Sequence, residues 1–229
     1  MTYKAIIFDF DGTLANTYPV LVEITNQLAP DFGYEPVTPA RLAEYAQLSS
    51  QDIIRTSGVS PLQIPFLLRR VQQALSFRMT DIQPFPGILD MLLQLRQQGY
   101  HLAILTSNSR ENVNQFLDQN DFDLLFDRTY SGISLLGKHR TLRRLMRRTK
   151  LDPREILYVG DETRDIQAAH QVGVAAIAVG WGFNAQEILL AQNPDGFAVT
   201  PPVLPSVIAG LPRPAAKYTP TSSPRLAGS

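Results

Sequence analysis

Ala5-Ile6-Ile7-Phe8 is an apolar run that passes without a spacer into Asp9-Phe10-Asp11-Gly12-Thr13-Leu14. Residues i and i+2 of an extended chain share a face, so the two carboxylates leave the end of a buried strand side by side. Like charges at that spacing repel, and each raises the pKa of the other. Such a pair is tolerable when a cation neutralises it or when a reaction uses it. Hard divalent cations with oxygen ligands, Mg2+ above all, suit the place. Gly12 permits the tight turn that has to follow.

The pattern of an apolar run ending in polar side chains recurs. Strand-like runs at 101–105 and 156–159 end in Thr106-Ser107-Asn108 and in Gly160-Asp161-Glu162-Thr163-Arg164-Asp165. Further runs lie at 174–179 and, more weakly, at 125–130. Between them, Ile88, Leu89, Met91, Leu92 and Leu95 have amphipathic-helix spacing closed by Gly99, and 111–119 and 163–172 read the same way. Strands alternating with helices predict a parallel sheet covered on both faces, an α/β fold with a three-layer Rossmann-like core. Ligands of such sheets bind beyond the carboxyl ends of the strands. The acidic pair, the hydroxyls and amide of residues 106–108 and the second acidic turn therefore converge on one crevice, and Lys138 reaches in from the start of a later helix.

In this order and spacing, Asp9-x-Asp11-x-Thr13, Ser107-Asn108, Lys138 after Gly137, and Gly160-Asp161-x-x-x-Asp165 resemble the four-motif signature of the haloacid dehalogenase superfamily, in its phosphoglycolate-phosphatase-like branch, over roughly residues 4 to 200. The resemblance implies a Mg2+-dependent phosphatase that hydrolyses a small phosphomonoester, phosphoglycolate-like or a sugar phosphate, through a phospho-aspartate. It makes Asp9 the nucleophile and Asp11 the general acid and base, with a pKa raised by crowding against Asp9. Asp9, the backbone carbonyl of Asp11, and Asp161 are the implied Mg2+ ligands. Ser107 and the N–H of Asn108 are implied to bind phosphate oxygens, with Thr106 as the alternative hydroxyl. Lys138 is implied to neutralise the transferring phosphoryl group. Asp165 either favours the start of its helix or supports the ligands from behind by hydrogen bonding. Glu162 reads equally as a surface acid or as an outer contact of the metal.

Haloalkanoate-dehalogenating members lack an acid at the position of Asp11, so its presence speaks against carbon–halogen cleavage. Two alternatives stay open. One is a phosphoglucomutase-like phosphotransferase that shares the first half-reaction. The other is a non-catalytic phosphate-binding regulatory module on the same fold.

Residues 17–82 interrupt the alternation. Val20, Leu21, Ile24 and Leu28, and later Leu67, Leu68, Val71 and Leu75, are helical in period; Pro36, Pro39, Pro61 and Pro65 punctuate the segment into short helices. The segment reads as an inserted all-helical cap of the kind that closes over a site and excludes water. Residues 1–16 and 83–211 are then the core domain. Seven of the last 29 residues are proline, so 212–229 reads as a Pro-rich flexible tail, with a short docked helix over 203–211 before it. Residues 48–55 resemble a cap stretch that faces the site in this branch, which makes Arg55 the candidate contact for an anionic substrate group. Trp181, after the last core strand, reads as core.

The 229 residues carry 21 basic and 21 acidic side chains, so bulk charge draws in neither nucleic acid nor membrane. Basic residues crowd 138–148, but Leu142, Leu145 and Met146 form a helical stripe and no aromatic residue interleaves for base stacking, so this reads as a solvated helix face. The absence of Cys excludes disulfides, Cys-ligated zinc and thiol catalysis. No apolar run approaches the ~18 residues of a membrane span, and no basic-then-apolar leader precedes the first strand. A cytoplasmic protein with a small phosphorylated substrate as its partner is expected, with no nucleic-acid or membrane partner.

Overall fold

β1 (Ala5–Phe8) is buried along its whole length, and its alternation sorts the core into two layers. The computed structural model describes residues 3–132 and 137–212. In it, Ile6 and Phe8 join one apolar cluster and Ala5 and Ile7 join another on the opposite face of the sheet. Six strands form that sheet: β1, β2 (His101–Leu105), β3 (Arg128–Tyr130), β4 (Ile156–Gly160), β5 (Ala175–Val179) and β6 (Gly196–Ala198). Their order is β3-β2-β1-β4-β5-β6 and every pairing is parallel. This is the doubly wound order, with its switch point beside β1.

Between β1 and the rest of the core the chain forms α1 (Tyr18–Phe32), α2 (Pro39–Tyr45), α3 (Ser50–Thr56) and α4 (Ile64–Ser76), and no strand. Pro39 and Pro65 sit at helix starts, where a missing N–H is no loss. Helix α1 packs on α4 through Val20, Ile24, Leu28 and Leu75, whereas α2 and α3 bury no residue. The two strands of chain that join this helical block to the sheet run side by side: Asn16 N–H donates to Gln83 O at 2.9 Å and Ala15 bridges Pro84.

The remaining helices cover both faces of the sheet. α5 (Ile88–Gln97), α6 (Arg110–Gln119) and α10 (Leu204–Gly210) supply Leu92, Phe116 and Ile208 to the first cluster. α7 (Lys138–Thr149), α8 (Thr163–His170) and α9 (Gln186–Leu190) supply Leu142, Ile166 and Leu189 to the second. Arg143, Arg144, Arg147 and Arg148 of α7 face solvent, as its apolar stripe predicts. Strand β6 and helix α9 are not legible in the sequence: three and five residues are too short to show a period, and β6 is Gly-Phe-Ala. Of the Pro-rich tail, only Pro212 lies within the described residues. No helix among the described residues is long and apolar enough to cross a membrane.

Asp127 ties the β2–β3 edge to α5. Its carboxylate accepts from Leu102 N–H at 3.2 Å and from Arg96 Nη1 at 3.0 Å, and it faces His101 Nδ1 at 3.1 Å. Burial pushes its pKa up, but the His101 hydrogen bond and the Arg96 charge outweigh that and hold it below the usual carboxylate range. A depressed carboxylate stabilises the fold above the ordinary carboxylate pKa, and the contribution is lost as pH falls through the depressed value. Asp127→Asn is therefore expected to lose about 1 kcal/mol at pH 7, a figure kept small by solvent screening at this edge. Thermal unfolding checks this: the gap from wild type should close below about pH 4.

Candidate active site

β2 and β4 each run one residue past the partner of Phe8, so three strand ends finish nearly level. Asp9 follows β1 and is fixed by its N–H to Val159 O at 2.8 Å. Phe10 turns the other way and packs edge-on against Phe116, which leaves Asp9 and Asp11 on the crevice side. The chain then folds back on itself, with Leu14 and Ala15 N–H both donating to Phe10 O at 3.0 Å. Gly12 makes this possible twice over. Its φ is +76°, and a Cβ there would lie 2.2 Å from Asp161 Oδ2.

Asp161 follows β4 and is fully buried. Thr13 Oγ1 donates to its Oδ1 at 2.7 Å and Phe183 N–H to its Oδ2 at 2.8 Å. No basic side chain pairs with it among the described residues. Burial, then the charges of Glu162, Asp9 and Asp165, push its pKa well above the usual carboxylate range. Asp9, Asp161 and Asp165 each offer an oxygen within 4.8 Å of the others. Buried carboxylates this close, one of them without a cationic partner, form a hard-oxygen donor set that fits a divalent metal ion.

Lys138, the first residue of α7, is the cation already present. It is 2% exposed, as is Asp9, and its Nζ lies 2.7 Å from Asp9 Oδ2 and 2.5 Å from Asp165 Oδ1. Burial alone would favour the neutral amine, but Asp165 and Asp9 outweigh it and hold the ammonium charged. Burial raises the Asp165 pKa to about 6, with Lys138 opposing and Asp9 adding to the rise. Asp165 also closes the start of α8, accepting from Glu162 N–H at 3.2 Å. It thus caps the start of α8 and pairs with Lys138 at once.

At the end of β2, Thr106 is buried and its Oγ1 accepts from Asn108 N–H at 3.0 Å. That N–H, expected to face phosphate, is engaged within the loop. The Asn108 side chain instead donates to both oxygens of Asp11, at 3.0 and 3.2 Å. Asn112 Nδ2 and Ser109 N–H hold its carbonyl in turn. Burial raises the Asp11 pKa and the Asn108 amide partly offsets the rise. Ser107 is half-buried, and its carbonyl accepts from Gln72 of α4 at 3.0 Å. Arg55 does not reach the crevice: its side chain is 78% exposed and pairs with Asp52 one turn away. Trp181 packs against the core and donates to Thr13 O at 2.9 Å, which braces the Asp9 loop.

A family model described as haloacid dehalogenase-like hydrolase matches residues 6–179. The chain belongs to this family. It is 45% identical over 210 residues to a protein named phosphoglycolate phosphatase from Synechococcus elongatus, covering 92% of this chain and 99% of that one. A phosphoglycolate phosphatase from Haemophilus influenzae is 27% identical over 84% of this chain and 92% of its own length. Among solved structures, that of a predicted phosphatase from Clostridium acetobutylicum superposes with a TM-score of 0.80 at 19% identity, covering 92% of this chain and all of that one. At that identity the likeness is one of fold.

Two further residues of this hydrolase are withdrawn from solvent: Glu162, open in the sequence between a surface acid and an outer contact of the metal, and Arg164, to which the sequence assigns no role. Glu162 is buried: Arg164 Nη2 meets its Oε1 at 2.5 Å and Ser50 of α3 donates to its Oε2. Arg164 is itself only 14% exposed, and its Nε and Nη1 are buried without a partner. Its charge acts on Asp9 and Asp11 and opposes the rise in pKa that burial imposes on both. The one sequence signal was a basic residue in the first turn of a helix, where the dipole favours acids.

Proposed function

We propose that the chain is a Mg2+-dependent phosphatase that hydrolyses a small phosphomonoester through a phospho-aspartate on Asp9, acting in the cytoplasm. The observation that carries this reading is a buried Asp9 held by a charged Lys138 at 2.7 Å, beside Asp161 and two residues before Asp11. The relatives' shared name supports a phosphoric monoester as substrate.

In this reading an Asp9 oxygen attacks phosphorus while the bond to the ester oxygen breaks. Asp11, whose pKa burial raises, gives its proton to the leaving alcohol and then takes one from the water that releases phosphate. The Asn108 amide holds Asp11 at the angle both transfers need. Lys138 keeps Asp9 ionised and neutralises the phosphoryl oxygens. Ser107, with Asn108, lies at the end of β2 where those oxygens would rest. Asp9, the carbonyl of Asp11 and Asp161 would hold Mg2+, with Asp165 behind them, and the ion would supply charge neutralisation at the phosphoryl group. Residues 17–82 serve as a cap on a core of 1–16 and 83–211. Ser50 to Glu162, Asn184 Nδ2 to Leu48 O at 3.0 Å, and Gln72 to Ser107 O are among the contacts that support this reading.

Phosphate release from p-nitrophenyl phosphate tests this. Turnover is expected with Mg2+, to vanish on chelation and to return with excess Mg2+. Turnover indifferent to chelation would remove the metal from the reading.

A further inference from the structure

Beside Asp11 and Asp161 a cavity of ≈340 Å3 opens between the loops at the strand ends and the helices of 17–82. The volume is in the range of small-molecule sites. Its walls are Leu21 of α1, Leu42 and Tyr45 of α2, Ile53 and Ile54 of α3, and Leu67 of α4. Phe183 closes the core side, its ring edge-on to Tyr18 at 5.2 Å. The charged residues that line it are all acids: Asp11, Glu35, Asp161 and Glu162. No Lys, Arg or His is among the described residues that do so. Of the arginines of the helical block, Arg41 lies over the Tyr45 ring, Arg55 pairs with Asp52, Arg70 with Asp31 and Arg78 with Glu23, and Arg69 is exposed and does not line the cavity.

With the phosphoryl group at Asp9 and Asp11 as the acid that protonates the leaving alcohol, that alcohol lies against Asp11, one of the residues that line this cavity. An apolar alcohol there gains from burial against the aliphatic walls. An alcohol carrying a carboxylate meets these aliphatic walls, the carboxylate of Glu35 and no cationic side chain, which leaves its charge buried without a counter-ion and disfavours it. We propose that the cavity is the leaving-group site and that it selects phosphomonoesters of uncharged, apolar alcohols of aryl or arylalkyl size over esters whose alcohol bears a carboxylate. This rests on the phosphatase reading above and parts from the substrate that the relatives' name suggests.

Benzyl phosphate and 4-carboxybenzyl phosphate share their reacting bond and differ in one remote carboxylate, so the ratio of their kcat/KM values reads the cavity alone. A ratio of at least ten in favour of benzyl phosphate is expected, and 2-phosphoglycolate should fall with the carboxylated ester. A ratio of one or below overturns the proposal. Ile54→Arg, at a half-buried position, should pull the ratio toward the carboxylated ester. Calorimetric binding of benzylphosphonate and 4-carboxybenzylphosphonate gives a readout without turnover: at least tenfold tighter binding of the first is expected, and equal affinities overturn the selectivity. If neither ester nor p-nitrophenyl phosphate is turned over, the phosphatase reading fails while the binding ratio still judges the cavity.

Discussion

Asp9→Asn is expected to lower kcat by at least ~10^3-fold, about 4 kcal/mol of barrier, while the protein keeps its fold. The amide is isosteric but cannot form the phospho-aspartate, so what remains is catalysis by positioning and charge alone. Stability should move the other way or hold. Asp9 is buried, its pKa is raised chiefly by that burial, and it stands within 4.8 Å of Asp161 and Asp165 oxygens. Removing its charge relieves repulsion in the metal-free protein, and Lys138 keeps Asp165 as its partner at 2.5 Å. Thermal unfolding in chelator should therefore show Asp9→Asn at least as stable as wild type, alongside a collapsed rate of phosphate release. A variant that keeps more than a tenth of wild-type kcat would rule out Asp9 as the nucleophile. One that loses activity by unfolding would fail the stability half of the same experiment.

How much of this site is legible in the sequence depends on which force sets each residue. β1 was plain because a strand apolar on both faces can only be central, and its exit into Asp9 and Asp11 follows from the period of two. The core strands 101–105 and 156–159 were plain for the same reason, within one residue of their observed ends. β6 is different: it exists because β5 offers an edge to pair with, and nothing in Gly196-Phe197-Ala198 announces that. Convergence of Asp9, Lys138 and Asp161 followed from topology, since ligands collect at strand ends. The inner wiring did not. That Asn108 would spend its N–H on Thr106 and its amide on Asp11 is a matter of side-chain geometry in one loop. Arg55 is a candidate only through the likeness of residues 48–55 to a cap stretch, and a likeness along the chain does not say which side chains of α3 turn inward; here Arg55 stays exposed and pairs with Asp52. Arg164 was passed over because a basic residue in a first turn usually belongs to solvent. Here the acidity around it makes a buried guanidinium favourable, and its pKa is raised further by Glu162, Asp165 and Asp9 against the burial.

Lys138→Met should be the most damaging single change on two readouts at once. The ammonium is buried between Asp9 Oδ2 at 2.7 Å and Asp165 Oδ1 at 2.5 Å, with all three side chains essentially out of solvent. Taking one member from a buried ionic cluster leaves charge without compensation, a loss of about 3 kcal/mol. The low end of the usual range applies because Arg164 still carries a buried positive charge that acts on the same carboxylates. On the proposed mechanism the rate should fall by at least ~10^3-fold, since Asp9 would lose the cation that favours its ionised form and the phosphoryl oxygens would lose their neutralising partner. Lys138→Arg should not rescue the rate, because a planar fork cannot occupy the position of a compact point charge in a filled site. Pairing Lys138→Met with Asp165→Asn separates the two roles. With one uncompensated carboxylate removed, chemical denaturation should show at least 1 kcal/mol of the stability regained, as coupling between contacting residues predicts, while phosphate release stays as low as in the single variant. Recovery of both together would mean that Lys138 is only a structural counter-ion and takes no part in the transfer.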